Sequence, residues 1–149
     1  MTPLGLIRPD SWDLPLFVHV LGAMTLVGSM FALLLLAAAA RSGPRSGMFA
    51  QLAFRTDLMV VIPAWLVMRV GAEWIVGREY PGNASDPGWV GVGFIVSDAG
   101  LLVLILATVF AWRSAKKGGG GWATALAVLS ALYLVALGAA MFAMSAKPS

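Results

Sequence analysis

The 149-residue sequence contains no cysteine and a single histidine, and charged residues make up only 11% of it. The absence of cysteine excludes disulfide bonds, thiolate metal sites and cysteine nucleophiles. Common enzyme motifs are missing as well. The four glycines at 118–121 lack the lysine and hydroxyl pattern of a phosphate-binding loop, and no paired-carboxylate motif is found. These absences argue against an enzyme.

Apolar residues dominate the chain. They make up 60% of it and give a mean hydropathy of +0.87, outside the range of soluble domains. The first apolar run extends from Leu14 to Ala40 and is interrupted only by His19, Thr25 and Ser29. As a helix it would be roughly 40 Å long, more than the ~30 Å hydrocarbon thickness of a bilayer. This run therefore predicts a membrane span.

Three further apolar runs follow, separated by short polar connections. Together they predict an all-α, transmembrane four-helix bundle that forms a single domain over residues 1–149, with spans at about 14–40, 57–76, 89–112 and 122–144. Pro63 lies inside the second run, where it removes a backbone donor and predicts a bend. The lipid bilayer is the expected surrounding of this multi-pass protein.

Basic residues predict how the bundle is oriented. Cations of short loops favour the cytoplasmic side, so both termini are expected outside the cytoplasm, in a bacterial inner membrane. The net charge of +3 is scattered beside the spans, which does not suggest nucleic-acid binding. The first and third connections carry Arg41, Arg45, Arg113, Lys116 and Lys117, with Arg55 at the boundary, whereas the opposite side has only Arg8, Arg78 and Lys147.

Four polar residues lie inside the predicted spans at similar depth, in the outer half of the membrane: His19, Arg69, Glu73 and Asp98. A charge near the centre of the hydrocarbon costs at least ~2.5 to 3.5 kcal/mol, so these groups are expected to face inward and to pair. Arg69 and Glu73 can pair along one helix at i and i+4. Asp98 would then pair with Arg69, and His19 with Glu73 or a ligand.

Three interpretations of this polar cluster stay open: packing that sets helix register, a ligand or cofactor pocket, and a path for protons or ions. His19 could be an axial ligand of haem b, or could bind a metal with Glu73 and Asp98. It is the only histidine available for either site. Haem would need a methionine partner, a five-coordinate iron or a second protomer; the candidate methionines are Met68, Met141 and Met144.

A second polar group, Arg55, Thr56 and Asp57, is expected at the cytoplasmic start of the second span. Asp57 and Thr56 would cap exposed backbone N–H groups at the positive end of the helix. Arg55 would extend its guanidinium to lipid phosphates at the membrane interface. This group therefore suggests a structural role.

The segment VHVLGAMTLVGS in the first helix, and RTD followed by a proline in the second, resemble the bacterial integral-membrane family catalogued as domain of unknown function 2269. An H-x-x-G in a first membrane helix is also similar to the CopD-like proteins. The resemblance covers roughly residues 14–113 and implies a four-span fold, without implying an activity. This chain differs in having Arg69 and Glu73 where the family's second helix is apolar. The matching positions are His19, Gly22, Ala23, Arg55, Asp57 and Pro63.

The sequence thus predicts an integral membrane protein that acts as a small binding or accessory subunit through its outer-half cluster. It could associate with itself or with another membrane protein through small residues such as Gly138, Ala139 and Ala140. Two alternatives belong to other classes: a haem- or metal-binding membrane redox protein, and a small transporter or proton-conducting protein.

Overall fold

The computed structural model describes residues 13–79 and 88–146, and these are helical except at two short connections. No strand occurs in this part of the chain. Arg8 and Lys147, which entered the orientation prediction, lie outside the described residues. The helices are α1 (Asp13–Ala39), α2 (Ser46–Thr56), α3 (Ile62–Glu79), α4 (Gly88–Lys117) and α5 (Gly121–Ala146), and a π-helical turn (Asp57–Val61) joins α2 to α3.

Four helical segments are long and apolar enough to cross a membrane. They are Asp13–Ala39, Ser46–Arg78, Gly91–Lys117 and Gly121–Ala143. The predicted all-α class and the number of candidate spans are therefore confirmed.

The second segment begins earlier than the sequence predicts. Helical backbone starts at Ser46 and continues through the π-helical turn to Glu79, so the predicted start near Asp57 is wrong. The cause is tertiary, because α2 packs against both α4 and α1, and its small side chains Ala50 and Ala53 are buried. Ala50 lies in a cluster with Ala40 and Ala123 at this end of the bundle.

The π-helical turn lies directly before Pro63. The Ile62 N–H donates to the carbonyl of Asp57, five residues earlier, which is the hydrogen bond that defines this wide turn. Pro63 has no N–H, and its ring crowds the carbonyl four residues before it. A wide turn accommodates both effects without breaking the helix, so the predicted bend takes the form of a π-helical turn.

Helix α1 is the central element. It packs against α3 and α5, while α4 packs against α5 and α2, and α3 and α4 barely contact each other. The result is a bundle with one weakly closed seam, between α3 and α4. The largest buried side chains of the core are Leu26, Met30, Leu33, Trp65, Met68, Leu104, Leu126, Tyr133 and Leu137.

Two glycines allow α1 and α3 to cross at very short distance. A Cβ atom on Gly22 would lie 2.7 Å from Met68 Cα, and one on Gly71 would lie 2.6 Å from His19 Cα. Real Cβ atoms do not approach other atoms so closely, so each helix presents bare backbone to the other. This contact fixes the position of His19 relative to α3.

The connection after α1 and the connection after α4 lie side by side at one end of the bundle. The Gly120 N–H donates to the carbonyl of Ala40 at 3.1 Å. Gly118, Gly119 and Gly120 all have positive φ angles, between 73° and 105°, a conformation that side chains with a Cβ rarely adopt. The glycine run is thus required by the tight turn into α5, and the basic residues of the connection after α1 and of the last turns of α4 lie at the same end of the bundle.

Candidate functional site: an ion-paired cluster between α3 and α4

Arg69 is the centre of a three-residue ion-paired cluster. Its Nη2 lies 2.9 Å from Glu73 Oε1 and 3.0 Å from Asp98 Oδ1. The guanidinium also lies over the ring of Phe94, 4.4 Å from the centroid. Arg69 and Glu73 are one turn apart on α3, while Phe94 and Asp98 are one turn apart on α4. Arg69 therefore pairs with one acid on each of two helices whose backbones lie far apart.

The cluster lies on the outside of the bundle. The side chain of Arg69 is 22% exposed, but those of Glu73 and Asp98 are 57% and 62% exposed. The predicted inward orientation is thus wrong for both acids. The formal charges of the three residues sum to −1 (+1 −1 −1), so one carboxylate charge is left without a cation of its own in this cluster.

One turn below the cluster, Trp65 closes the seam toward the core. Its side chain is buried, and its Nε1–H donates to the carbonyl of Ser97 at 3.2 Å. An indole has no other polar atom, so this bond satisfies it fully. Trp65 thereby lies between the ion-paired residues on the surface of the bundle and its apolar core.

His19 lies at the α1–α3 crossing and is not part of the ion pairs. Its Nδ1 lies 2.9 Å from the carbonyl of Met68, and because a carbonyl can only accept, Nδ1 carries the hydrogen. The expected contact between His19 and Glu73 is therefore not made. No group of three or more metal-ligating acids, histidines or cysteines is found among the described residues. The predicted metal set of His19, Glu73 and Asp98 does not form here.

The predicted helix cap is also wrong, because Asp57 lies within a continuous helical segment. Arg55 is exposed and Thr56 is half-buried, and neither Thr56 nor Arg45 makes a side-chain capping bond. Asp57 is completely buried, and its Oδ2 lies 2.7 Å from the hydroxyl of Thr108 on α4.

Sequence reasoning missed Phe94, Trp65 and Thr108 as partners of the polar residues. A signal existed for Phe94, since it lies four residues before Asp98 and hence on the same face of α4. No local signal existed for Trp65 or Thr108. Their partners are 32 and 51 residues away in the chain, and the contact depends on how α4 packs.

A comparison with protein-family models, curated proteins and solved structures finds no match to this chain. The resemblance to domain of unknown function 2269 and to CopD-like proteins therefore stays a prediction.

Proposed function

We propose that this chain is a multi-pass membrane protein that acts as a small binding or accessory subunit, and that the Arg69–Glu73–Asp98 cluster is its contact site. Four apolar helices support membrane insertion. Large apolar side chains are exposed along the outer face of α5, as lipid contact requires. They include Val128, Leu132, Val135, Met141 and Phe142.

The exposure of the two acids is the observation that carries the proposal. Asp98 lies about 15 Å and Glu73 about 9 Å along their helices from the nearer end, so both carboxylates lie in the outer half of the bundle. A carboxylate facing lipid costs about 2.5 to 3.5 kcal/mol at the centre of the hydrocarbon, and this cost falls toward the headgroups. A second surface that covers the seam between α3 and α4 would remove this cost.

The net charge of the cluster indicates what this second surface carries. One uncompensated carboxylate favours a cation or several N–H donors. A membrane helix with a lysine or arginine at the same depth fits this requirement, whereas a second copy of the chain brings the same net charge of −1 and does not. We therefore propose a membrane protein partner that carries such a cation at this seam.

The orientation we propose has both termini outside the cytoplasm, in a bacterial inner membrane. Exposed cations support it: Arg41 and Arg45 lie in the connection after α1, and Arg113, Lys116 and Lys117 lie in the last turns of α4, which extends past the predicted end near residue 112. Lys116 lies 4.2 Å from the ring centroid of Trp112, and Arg113 lies 4.7 Å from that of Trp122. Basic and tryptophan side chains are enriched together at the membrane interface, so this end of the bundle fits the headgroup region.

Cysteine cross-linking tests the contact site cleanly, because the natural chain has no cysteine. Ile95 lies one turn before Asp98 and is 70% exposed, while Val135 on α5 is 72% exposed and serves as the matched control. In native membranes, a benzophenone maleimide attached to Ile95→Cys should capture the partner chain on illumination, and Asp98→Asn should reduce the yield. Equal cross-linking from Val135→Cys would refute this contact site.

A second candidate function, haem binding, is favoured by the tautomer of His19. Because Nδ1–H is held by the Met68 carbonyl, the lone pair of Nε2 is available, which is the arrangement of metal-ligating histidines. The single histidine of each chain would then pair with a methionine or with His19 of a second copy. Protein purified with ample haem supply should show a Soret band that His19→Ala abolishes. A colourless wild-type preparation refutes this function.

A further inference from the structure

Asp57 is a carboxyl group with no exposure to solvent, in the π-helical turn between α2 and α3. Its Oδ2 contacts the Thr108 hydroxyl, and its Oδ1 has no hydrogen-bond partner among the described residues. An ionised carboxylate normally accepts several hydrogen bonds or pairs with a cation when it is buried. Asp57 has neither, so the charged form is poorly supported at this position.

No charged side chain on any packed element compensates Asp57. On α2, Arg55 points to the exterior, and α1 has only Asp13 and His19, which lie more than ten residues from the part of α1 level with this turn. On α3, Arg69 pairs with Glu73 and Asp98, and Arg78 in the last turn lies over the Trp74 ring. On α4, the cations lie over tryptophan rings; they are Arg113, Lys116 and Lys117. Within residues 13–79 and 88–146, no lysine, arginine or histidine forms an ion pair with Asp57.

The two short contacts of the Thr108 hydroxyl are a second observation on the protonation of Asp57. It lies 2.7 Å from Asp57 Oδ2 and 2.9 Å from the carbonyl oxygen of Leu104. A hydroxyl has one hydrogen, so it can donate to only one of these two oxygens. If Asp57 is ionised, this single hydrogen must be shared between two acceptors. If Oδ2 carries a proton and donates it to Thr108, the hydroxyl can donate its own hydrogen to Leu104, and both short contacts are full hydrogen bonds.

We propose that Asp57 and Thr108 form a proton-binding site inside the bundle, with the proton on Oδ2 of Asp57. The π-helical turn supports this role, because such turns occur frequently at functional sites and hold side chains out of the ordinary helical register. The neutral acid needs no cation, and its remaining oxygen is then a carbonyl, which tolerates burial far better than a carboxylate. This site is separate from the ion-paired cluster and does not depend on the contact proposed there.

Infrared spectroscopy of the full-length protein in detergent at neutral pH tests the site. A protonated carboxyl has a C=O stretching band that an ionised carboxylate lacks. Wild-type protein should show one such band, and Asp57→Asn should lose it completely. Asp98→Asn, which removes an exposed and ion-paired acid, should retain it. Thr108→Val should keep the band but shift its frequency, since the hydrogen bond from Oδ2 is lost.

Several outcomes would overturn the proposal: no band in the wild-type protein, a band that survives Asp57→Asn, or a band that Asp98→Asn removes. If Asp57→Asn fails to fold, Thr108→Val assigns the band, because an unchanged frequency in that variant would show that the band does not belong to Asp57. Absence of the band together with a melting temperature that rises in sodium chloride but not in choline chloride would assign Asp57 to a bound cation instead.

Discussion

Replacing Gly22 by alanine should force α1 and α3 apart. The new Cβ would lie 2.7 Å from Met68 Cα, whereas ordinary carbon contacts are about 3.5 to 4.0 Å. The obstacle is helix backbone, which cannot rotate away as a flexible side chain could. The two helices must therefore separate by roughly 1 Å at their crossing point, as these contact distances require.

The cost of this separation has two parts. Overpacking a well-packed contact costs about 1 to 3 kcal/mol. The hydrogen bond from His19 Nδ1 to the Met68 carbonyl, 2.9 Å long, spans the same crossing and should break, which adds about 0.5 to 1.5 kcal/mol. The expected loss in the free energy of unfolding is thus about 1.5 to 4.5 kcal/mol.

Gly28 offers a matched control on the same helix. It is exposed, and a Cβ on it would meet no atom within 4 Å. Gly28→Ala should therefore raise the free energy of unfolding by about 0.5 to 1 kcal/mol, since alanine is the better helix former. Unfolding curves in mixed detergent micelles measure both variants.

Opposite signs for the two substitutions would support the close crossing of α1 and α3. Equal free energies of unfolding for Gly22→Ala and Gly28→Ala would refute it. A second comparison checks the mechanism: Gly71→Ala should be as damaging as Gly22→Ala, because its Cβ would lie 2.6 Å from His19 Cα. The double variant should cost less than the sum, since the first substitution already separates the helices.

Further substitutions test other parts of the structure. Arg69→Gln should lower the yield of folded protein, because two acids lose their cation, and adding Glu73→Gln and Asp98→Asn should restore it. Tyr133→Phe should not lower the free energy of unfolding, since the buried hydroxyl has no partner among the described residues; a loss above ~1 kcal/mol would reveal a missed hydrogen bond. Lys117→Cys should not react with an impermeant maleimide in intact cells. Labelling at this position would show that the orientation is opposite to the one we propose.

Features that depend on neighbouring residues could be predicted from the sequence. Arg69 and Glu73 were expected to pair because they are one helical turn apart, and they form an i,i+4 ion pair with a distance of 2.9 Å. The number of candidate spans followed from the length of the apolar runs. The glycine run after α4 was expected to form a connection, and its positive φ angles agree with that.

Features that depend on helix packing could not be predicted. The start of the second helix was predicted too late because Ala50 and Ala53 become buried only when α2 packs against α4 and α1. Asp57 was interpreted as a cap, although it is buried against Thr108, a residue 51 positions away in the chain. His19 was expected beside Glu73, but the glycine crossing places it against the backbone of α3.

The sequence by itself determined that this protein is a set of four long apolar helices, because the length of an apolar run is a local property. Tertiary structure decided which face of each helix is buried. The reason is physical: helices that are apolar on all sides have no amphipathic stripe to mark their inner face. Backbone contact at Gly22 and Gly71 determines instead how α1 meets α3, and the resulting packing places Asp57 inside the bundle and Asp98 on its surface.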